Sequence, residues 1–477
     1  MLFNSWEFIL YFIVVLILYF SIEFRFRPFL LLVASYLFYM FWKWEFALIM
    51  LAVTSINYYT GLKISENNLK KQQKRYLVLS VFASLLPLLY FKYVNFFIDN
   101  FAVMIQQFGF KANYTTLSVI LPVGISFFTF QAMSYSFDVY NKKTTAETNF
   151  INFAVFVAFF PQLVAGPIER SSSLLAQFRE NHYFKFQLLI SGSKLFIWGL
   201  FKKVVIADRL AIYVDRIYEN PELFSSSTLI VATLFFAVQI YCDFSGYSDM
   251  AIGSAKMLGF RLKQNFNLPY LANSIADFWK RWHISLSSWF GDYLYKPLGG
   301  NRVSYLRWIF NIFIVFLISG FWHGANWTFI VWGGLHALYY LFENWGDKLL
   351  AYLKLISIKK SNLYKSIKII TIFILVCFAW IFFRANTIDD ALYISNKIVF
   401  FKSDTLYLGA STVTFMLSVL LIVLLLIVQL LQYFKIASLY FSESKMPKEV
   451  EFLWYVLLLL GVALLGISSN AFIYFQF

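Results

Sequence analysis

Apolar runs long enough to approach the thickness of a bilayer follow one another along the chain. This recurrence constrains the fold more than any single motif. A spanning helix needs roughly 20 mostly apolar residues. Runs of this kind are read at Trp6 to Ile22, Phe29 to Trp42, Phe46 to Leu62, Tyr76 to Phe97, Leu117 to Val139, Phe150 to Val164, Phe186 to Val205 and Thr228 to Tyr241. They continue at Tyr305 to Gly320, Thr328 to Phe342, Ile367 to Phe383, Thr412 to Tyr433 and Phe452 to Ser468. The pattern predicts an all-α, polytopic integral membrane protein with about 11 to 13 transmembrane or re-entrant helices. Several runs are short for a span, and short or Gly/Pro-interrupted segments are expected to line a cavity. Composition agrees, since 60% of the 477 residues are hydrophobic and only 14% are charged. A soluble domain carries about a quarter charged residues.

The formal charge of +15 does not point to nucleic acid. The basic residues sit in short clusters between apolar runs, among them Lys70-Lys71, Lys202-Lys203 with Arg209, and Lys359-Lys360. That placement fits loops facing anionic membrane lipids. Cys242 and Cys377 lie in or beside apolar runs and are read as isolated membrane thiols, with a disulfide left open. The N-terminus lacks the basic region and cleavage site of a signal peptide, so its first run is expected to stay as a helix. No internal repeat or long linker divides the chain. A single membrane domain over residues 1–477 is expected, with a motif-rich core at about 160–344.

Within that core, polar residues intrude densely on apolar ones. Pro161 to Arg170 ends one run with two prolines and a possible ion pair. The segment Gln239 to Asp249 carries Asp243, Ser245 and Asp249 beside Gly246, read as the end of an apolar run with a turn at the glycine. Asp277 to Ser285 contains Trp279, Lys280, Arg281 and His283. Taken singly, these groups read as helix caps and headgroup pairs, with Asp243 and Asp249 either ordering the Gly246 turn or paired to Lys280 or Arg281. Taken together, they require a polar interior, because lipid-exposed loops of this kind are not tolerated.

The stretch Phe321-Trp322-His323-Gly324-Ala325-Asn326-Trp327 lies between two apolar runs. An ionisable side chain at such depth is costly and marks function. His323 is therefore the candidate general base, with Asn326 able to orient it or to donate to an oxyanion. His283 is a second candidate catalytic residue, or else it lines the path or positions the donor. His336 reads as structural and His182 as a solvated loop residue. No G-x-S-x-G, H-E-x-x-H, clustered metal ligands or P-loop occurs, so no metal site is expected.

Three motifs, Phe321 to Gly324, Tyr241 to Asp249 and Phe278 to His283, together resemble the membrane-bound O-acyltransferases, in particular the bacterial branch that serves alginate and peptidoglycan O-acetylation. The resemblance implies a ring of helices around a central tunnel, with His323 at its thin centre and His283 on the same path. Asp243, Ser245, Asp249, Trp279, Lys280, Arg281, Trp322 and Asn326 would line or shape that path. It implies acetyl-CoA as cytoplasmic donor, no tightly bound cofactor, and a location in the cytoplasmic membrane. The C-terminal segment at about 471–477, Phe472-Ile473-Tyr474-Phe475-Gln476-Phe477, resembles a terminal motif of this branch whose tyrosine takes up the acyl group. Tyr474 is thus the candidate acyl carrier; without the resemblance, the tail reads as an aromatic interfacial anchor.

The expected function is passage of acetyl across the membrane for O-acetylation of an envelope or extracellular polysaccharide. The last step would fall to a periplasmic or extracellular serine esterase-like partner of the SGNH/GDSL type. Two other readings stay open: direct O-acylation of a lipid or protein, and transport of a small solute through the same polar interior.

Overall fold

The computed structural model describes residues 1–109, 116–117, 119–164, 166–402, 404–434 and 447–467. These residues form helices and connecting turns, with no strand among them. Among the described residues, six helices have the length and apolar content to cross a membrane: Glu45–Glu66, the continuous Lys70–Gln107, Ser226–Met257, Tyr305–His323, Asn362–Arg384 and Thr412–Tyr433. Trp6–Ser21 and Phe150–Leu163 are apolar but shorter. Contacts group the chain into two compact units, one of residues 1–193 and 251–263, the other of residues 194–250 and 264–477.

The first unit is built mainly from α1 (Trp6–Ser21), α2 (Arg27–Met40), α3 (Glu45–Glu66), α4 (Lys70–Leu88), α5 (Val94–Gln107), α6 (Ile125–Tyr140), α7 (Phe150–Ala158) and α8 (Phe160–Leu163). Apolar burial alone gives helices little reason to associate inside lipid, so polar side chains act as glue. Asn57 of α3 does this at full burial. Its amide donates to Ser84 of α4 at 2.7 Å, and its oxygen accepts from Ser80 at 2.7 Å and from Ser136 of α6 at 2.9 Å. Pro87, near the end of α4, is followed by one π-helical turn, Leu89–Tyr93, before α5 continues. Proline removes an intrahelical donor, and such turns absorb the fault. Pro161 likewise splits the predicted Phe150 to Val164 run into α7 and α8. The buried Gln131 amide donates to the Phe156 carbonyl beside that break. His182 is half-buried rather than solvated, with its ring 4.4 Å from that of Phe260 and its Nε2 2.8 Å from the Gln177 carbonyl.

The boundary between the units falls within α9 (Phe186–Phe201) and α11 (Ser226–Met257). The second unit adds α10 (Asp208–Glu219), α12 (Ile275–Arg281), α13 (Ile284–Phe290), α14 (Tyr305–His323), α15 (Trp327–Tyr352), α16 (Asn362–Arg384), α17 (Ile388–Val399), α18 (Thr412–Tyr433) and α19 (Lys448–Leu465). The expected turn at Gly246 does not exist: α11 runs straight through the whole Gln239 to Asp249 segment. The glycine serves close approach instead. A Cβ on Gly246 would stand 2.7 Å from the Gly199 carbonyl oxygen, and one on Gly199 would stand 2.5 Å from that of Gly246. Only hydrogen at both positions lets α9 and α11 touch backbone to backbone.

That contact brings together charges which look unrelated in the sequence. Lys202 and Lys203, read above as part of a basic loop, lie buried in a π-helical turn, Lys202–Ala207, that follows α9. The Lys202 ammonium sits 2.7 Å from Asp249 and 2.8 Å from the Ser245 hydroxyl. The Lys203 ammonium sits 2.7 Å from Asp208 and 2.6 Å from Asp243. The carboxylates are therefore not the partners of Lys280 or Arg281. Arg281 pairs with Asp277 at 2.9 Å within α12, and Lys280 is exposed. Cys242 and Cys377 are both buried and free.

Candidate functional site

His323 is the last residue of α14. α14 and α15 form a tight hairpin around it, and glycines set the spacing. A Cβ on Gly320 would stand 2.2 Å from the Phe329 carbonyl oxygen, and one on Gly333 would stand 2.3 Å from that of Phe316. A Cβ on Gly324, in extended backbone after His323, would enter the Phe329 ring at 2.1 Å. The hairpin therefore closes only with hydrogen at these three places.

Asn326 caps α15. Its side-chain oxygen accepts the Thr328 N–H at 3.0 Å, and its amide donates to the Asn386 carbonyl at 3.0 Å. Both ends of the side chain are thus occupied in fixing the turn. Capping is what an asparagine before a helix does.

The His323 ring is buried among aromatic rings. Trp322 lies 5.0 Å away, Trp332 of α15 at 5.1 Å and Phe383 of α16 at 5.3 Å, all edge-on. Trp380 of α16 extends the cluster, 5.8 Å from Trp332 and 5.0 Å from Trp282. Such walls exclude water, which strengthens any proton transfer or charge stabilisation carried out inside them.

His283 enters the same cluster from another direction. It precedes α13 and is completely buried, 4.6 Å from the Phe244 ring of α11 and 6.3 Å from Trp322. The two histidines thus share Trp322 as a neighbour. Burial pushes the His283 imidazole down to about 3, which holds it neutral at physiological pH. Its backbone is left-handed, with φ 44° and ψ 53°, a conformation rare outside glycine and asparagine.

The remaining predicted residues divide. Trp322 belongs to the cluster. Trp279 packs on Trp332 at 5.7 Å and on His336 at 5.0 Å, one ring further out. Asp243, Ser245 and Asp249 belong to the lysine cluster described above. Lys280 and Arg281 lie outside both clusters. Tyr474 falls outside the described residues. His336 is fully buried with a hydrogen-bond partner at neither nitrogen among the described residues, enclosed by Phe278, Trp279, Phe316 and Trp332.

Sequence reasoning passed over Trp332, Trp380, Phe383, Lys202, Lys203 and Asp208. The aromatic residues are hidden among 103 Phe, Trp and Tyr residues, and nothing local separates a site wall from a lipid-facing ring. For Lys202 and Lys203 a signal existed: the doublet directly continues an apolar run, where a lysine is costly unless paired.

The sequence profile of the membrane-bound O-acyltransferase family, MBOAT, matches residues 29–386. The chain is 40% identical over 396 residues to the probable alginate O-acetylase AlgI of Pseudomonas aeruginosa, covering 82% of this chain and 73% of that one. It is 36% identical over 395 residues to the peptidoglycan O-acetyltransferase of Helicobacter pylori, covering 77% and 73%. It is 29% identical over 246 residues to the teichoic acid D-alanyltransferase of Bacillus subtilis, covering 47% and 60%. The profile spans His283, His323 and the aromatic cluster alike. This chain therefore belongs to the membrane-bound O-acyltransferase family, and it is a multi-pass membrane O-acyltransferase.

Proposed function

We propose that the protein takes acetyl from acetyl-CoA on the cytoplasmic side of the inner membrane and passes it outward for O-acetylation of a cell-envelope or extracellular polysaccharide. The observation that carries this reading is the buried His323 at the end of α14, walled by Trp322, Trp332 and Phe383. It is joined by the likeness to an alginate O-acetylase and a peptidoglycan O-acetyltransferase. His323 is the general base. The first acceptor is the Tyr474 phenol, whose ordinary pKa near 10 makes it a weak nucleophile without such a base. The imidazole removes the phenol proton as the oxygen attacks the thioester carbonyl. The C–O bond forms, the C–S bond breaks, and the thiolate of CoA takes up the proton. The aryl ester then passes its acetyl to a partner of the SGNH/GDSL esterase type, which places it on a sugar hydroxyl.

Membership in an acyltransferase family removes the solute-transporter reading. Direct transfer to a lipid or protein becomes an outcome of the test. The full chain is incubated with acetyl-CoA and analysed by intact-mass and peptide mass spectrometry, as wild type, His323→Ala and Tyr474→Phe. Acetyl on Tyr474 that disappears in His323→Ala is the expected result. A Tyr474→Phe protein that still acetylates an acceptor in full refutes the relay and leaves direct transfer. A His323→Ala protein with unchanged activity refutes the base.

A further inference from the structure

His283 holds a left-handed backbone at the wall of the site, and a strained residue persists only where its surroundings over-determine it. Asn265, through its backbone and its side chain, supplies several of the hydrogen bonds that hold this segment. Asn265 is buried, with 1% of its surface exposed. Its carbonyl accepts the N–H of Ile284 at 2.9 Å. Its side-chain oxygen accepts the N–H of Ser285 at 3.2 Å and the hydroxyl of Ser285 at 2.9 Å. Its amide nitrogen donates to the Ser248 hydroxyl of α11 at 3.4 Å. Two residues on, the N–H of Asn267 returns to the carbonyl of Arg281 at 2.9 Å. The segments 265–267 and 281–285 are thus pinned at both ends of the Trp282-His283 pair.

We propose that Asn265 is a positioning residue for acyl transfer: it locks the left-handed backbone of His283 and ties the imidazole to α11, so that His283 meets Trp322 and Phe244 in one orientation. An asparagine suits this task. One oxygen serves two donors on Ser285, and the opposite nitrogen reaches Ser248, so a single planar group sets the distance between α11 and the start of α13. Serine or alanine in its place spans one of these gaps or neither. Aspartate retains the acceptor for Ser285 and loses the donor to Ser248.

The inference rests on the acyl-transfer reading above and is tested in a way that separates the two. The full chain, in detergent or liposomes with radiolabelled acetyl-CoA, is measured as wild type, Asn265→Ala, His283→Ala and the double variant, with His323→Ala as the control for the reading itself. Misplacing a group in a site by about 1 Å costs on the order of 10²-fold in rate. Asn265→Ala is expected to lower kcat by about that factor in the wild-type background and by less than about 2-fold when His283 is already alanine, because the two act through one imidazole. Asn265→Asp recovers part of the loss. Equal losses in both backgrounds mean a merely structural residue and overturn the proposal. A His283→Ala protein as active as wild type overturns it too, whereas a His323→Ala protein as active as wild type strikes the acyl-transfer reading. Should Asn265→Ala not fold, Ser285→Ala, which removes only the hydroxyl partner, runs through the same cycle with a smaller expected loss, about 3-fold, that again vanishes without His283.

Discussion

Replacing Gly333 by alanine tests whether the α14–α15 hairpin sets the position of His323. The new Cβ would stand 2.3 Å from the Phe316 carbonyl oxygen and 3.4 Å from the Leu317 Cα. Both are backbone atoms, so no side chain can turn aside. Reaching a contact of 3.0 Å requires the helices to part by at least about 0.7 Å at this point. Overpacking of this kind costs about 1–3 kcal/mol, and the higher helix propensity of alanine returns up to about 1 kcal/mol. The net loss of stability is then about 0–3 kcal/mol. Catalysis is more sensitive. Gly320 faces the same interface one turn before His323, so a displacement approaching 1 Å is passed to the imidazole and is expected to lower acetyl transfer by up to about 10²-fold. The assay pairs thermal unfolding in detergent with transfer from radiolabelled acetyl-CoA. Activity should fall far more than the unfolding temperature. Gly320→Ala should behave alike, and the double variant should lose less than the two losses combined, since one separation serves both. A Gly333→Ala protein with unchanged unfolding temperature and unchanged transfer would refute the close contact as the source of His323's placement.

Two further outcomes follow from the buried charges and the buried imidazole. Lys203→Met leaves Asp208 and Asp243 buried without their ammonium, which is expected to cost about 3–5 kcal/mol and to show as lost folded yield or a lower unfolding temperature. Adding Asp208→Asn and Asp243→Asn should restore most of it, and a stable Lys203→Met single variant would show the pairs contribute little. For His283, the folded protein keeps the imidazole neutral down to about pH 3, while the unfolded chain takes up a proton near 6.5. Stability from this group is therefore complete above about pH 6.5 and is lost as pH falls toward 3, by up to about 1.4 kcal/mol per unit. The slope of unfolding temperature against pH between 6.5 and 4 should flatten in His283→Phe; equal slopes would refute the burial of a neutral ring.

The sequence by itself determined the membrane class and the helical fold, and it singled out His323 as the candidate base. Hydrophobic run length is a local property, additive along the chain, and a histidine framed by apolar runs is costly wherever the helices finally pack. The family could be read for a similar reason, because Phe321 to Gly324 and Phe278 to His283 are contiguous strings. What a residue pairs with is not local. Asp243 and Asp249 meet Lys203 and Lys202, about forty residues earlier, because two glycines let α9 and α11 come into backbone contact. Before that crossing is known, the same carboxylates look equally able to reach Lys280 or Arg281. Nor does the sequence name the partners of Asn326, the Thr328 N–H and the Asn386 carbonyl, which tie it into the turn. Asn265 carried no sign of importance, and the left-handed backbone of His283 had none in its own residue type. Both emerge only when segments far apart in the chain are folded against one another, since their role lies in a distance between helices and not in any one of them.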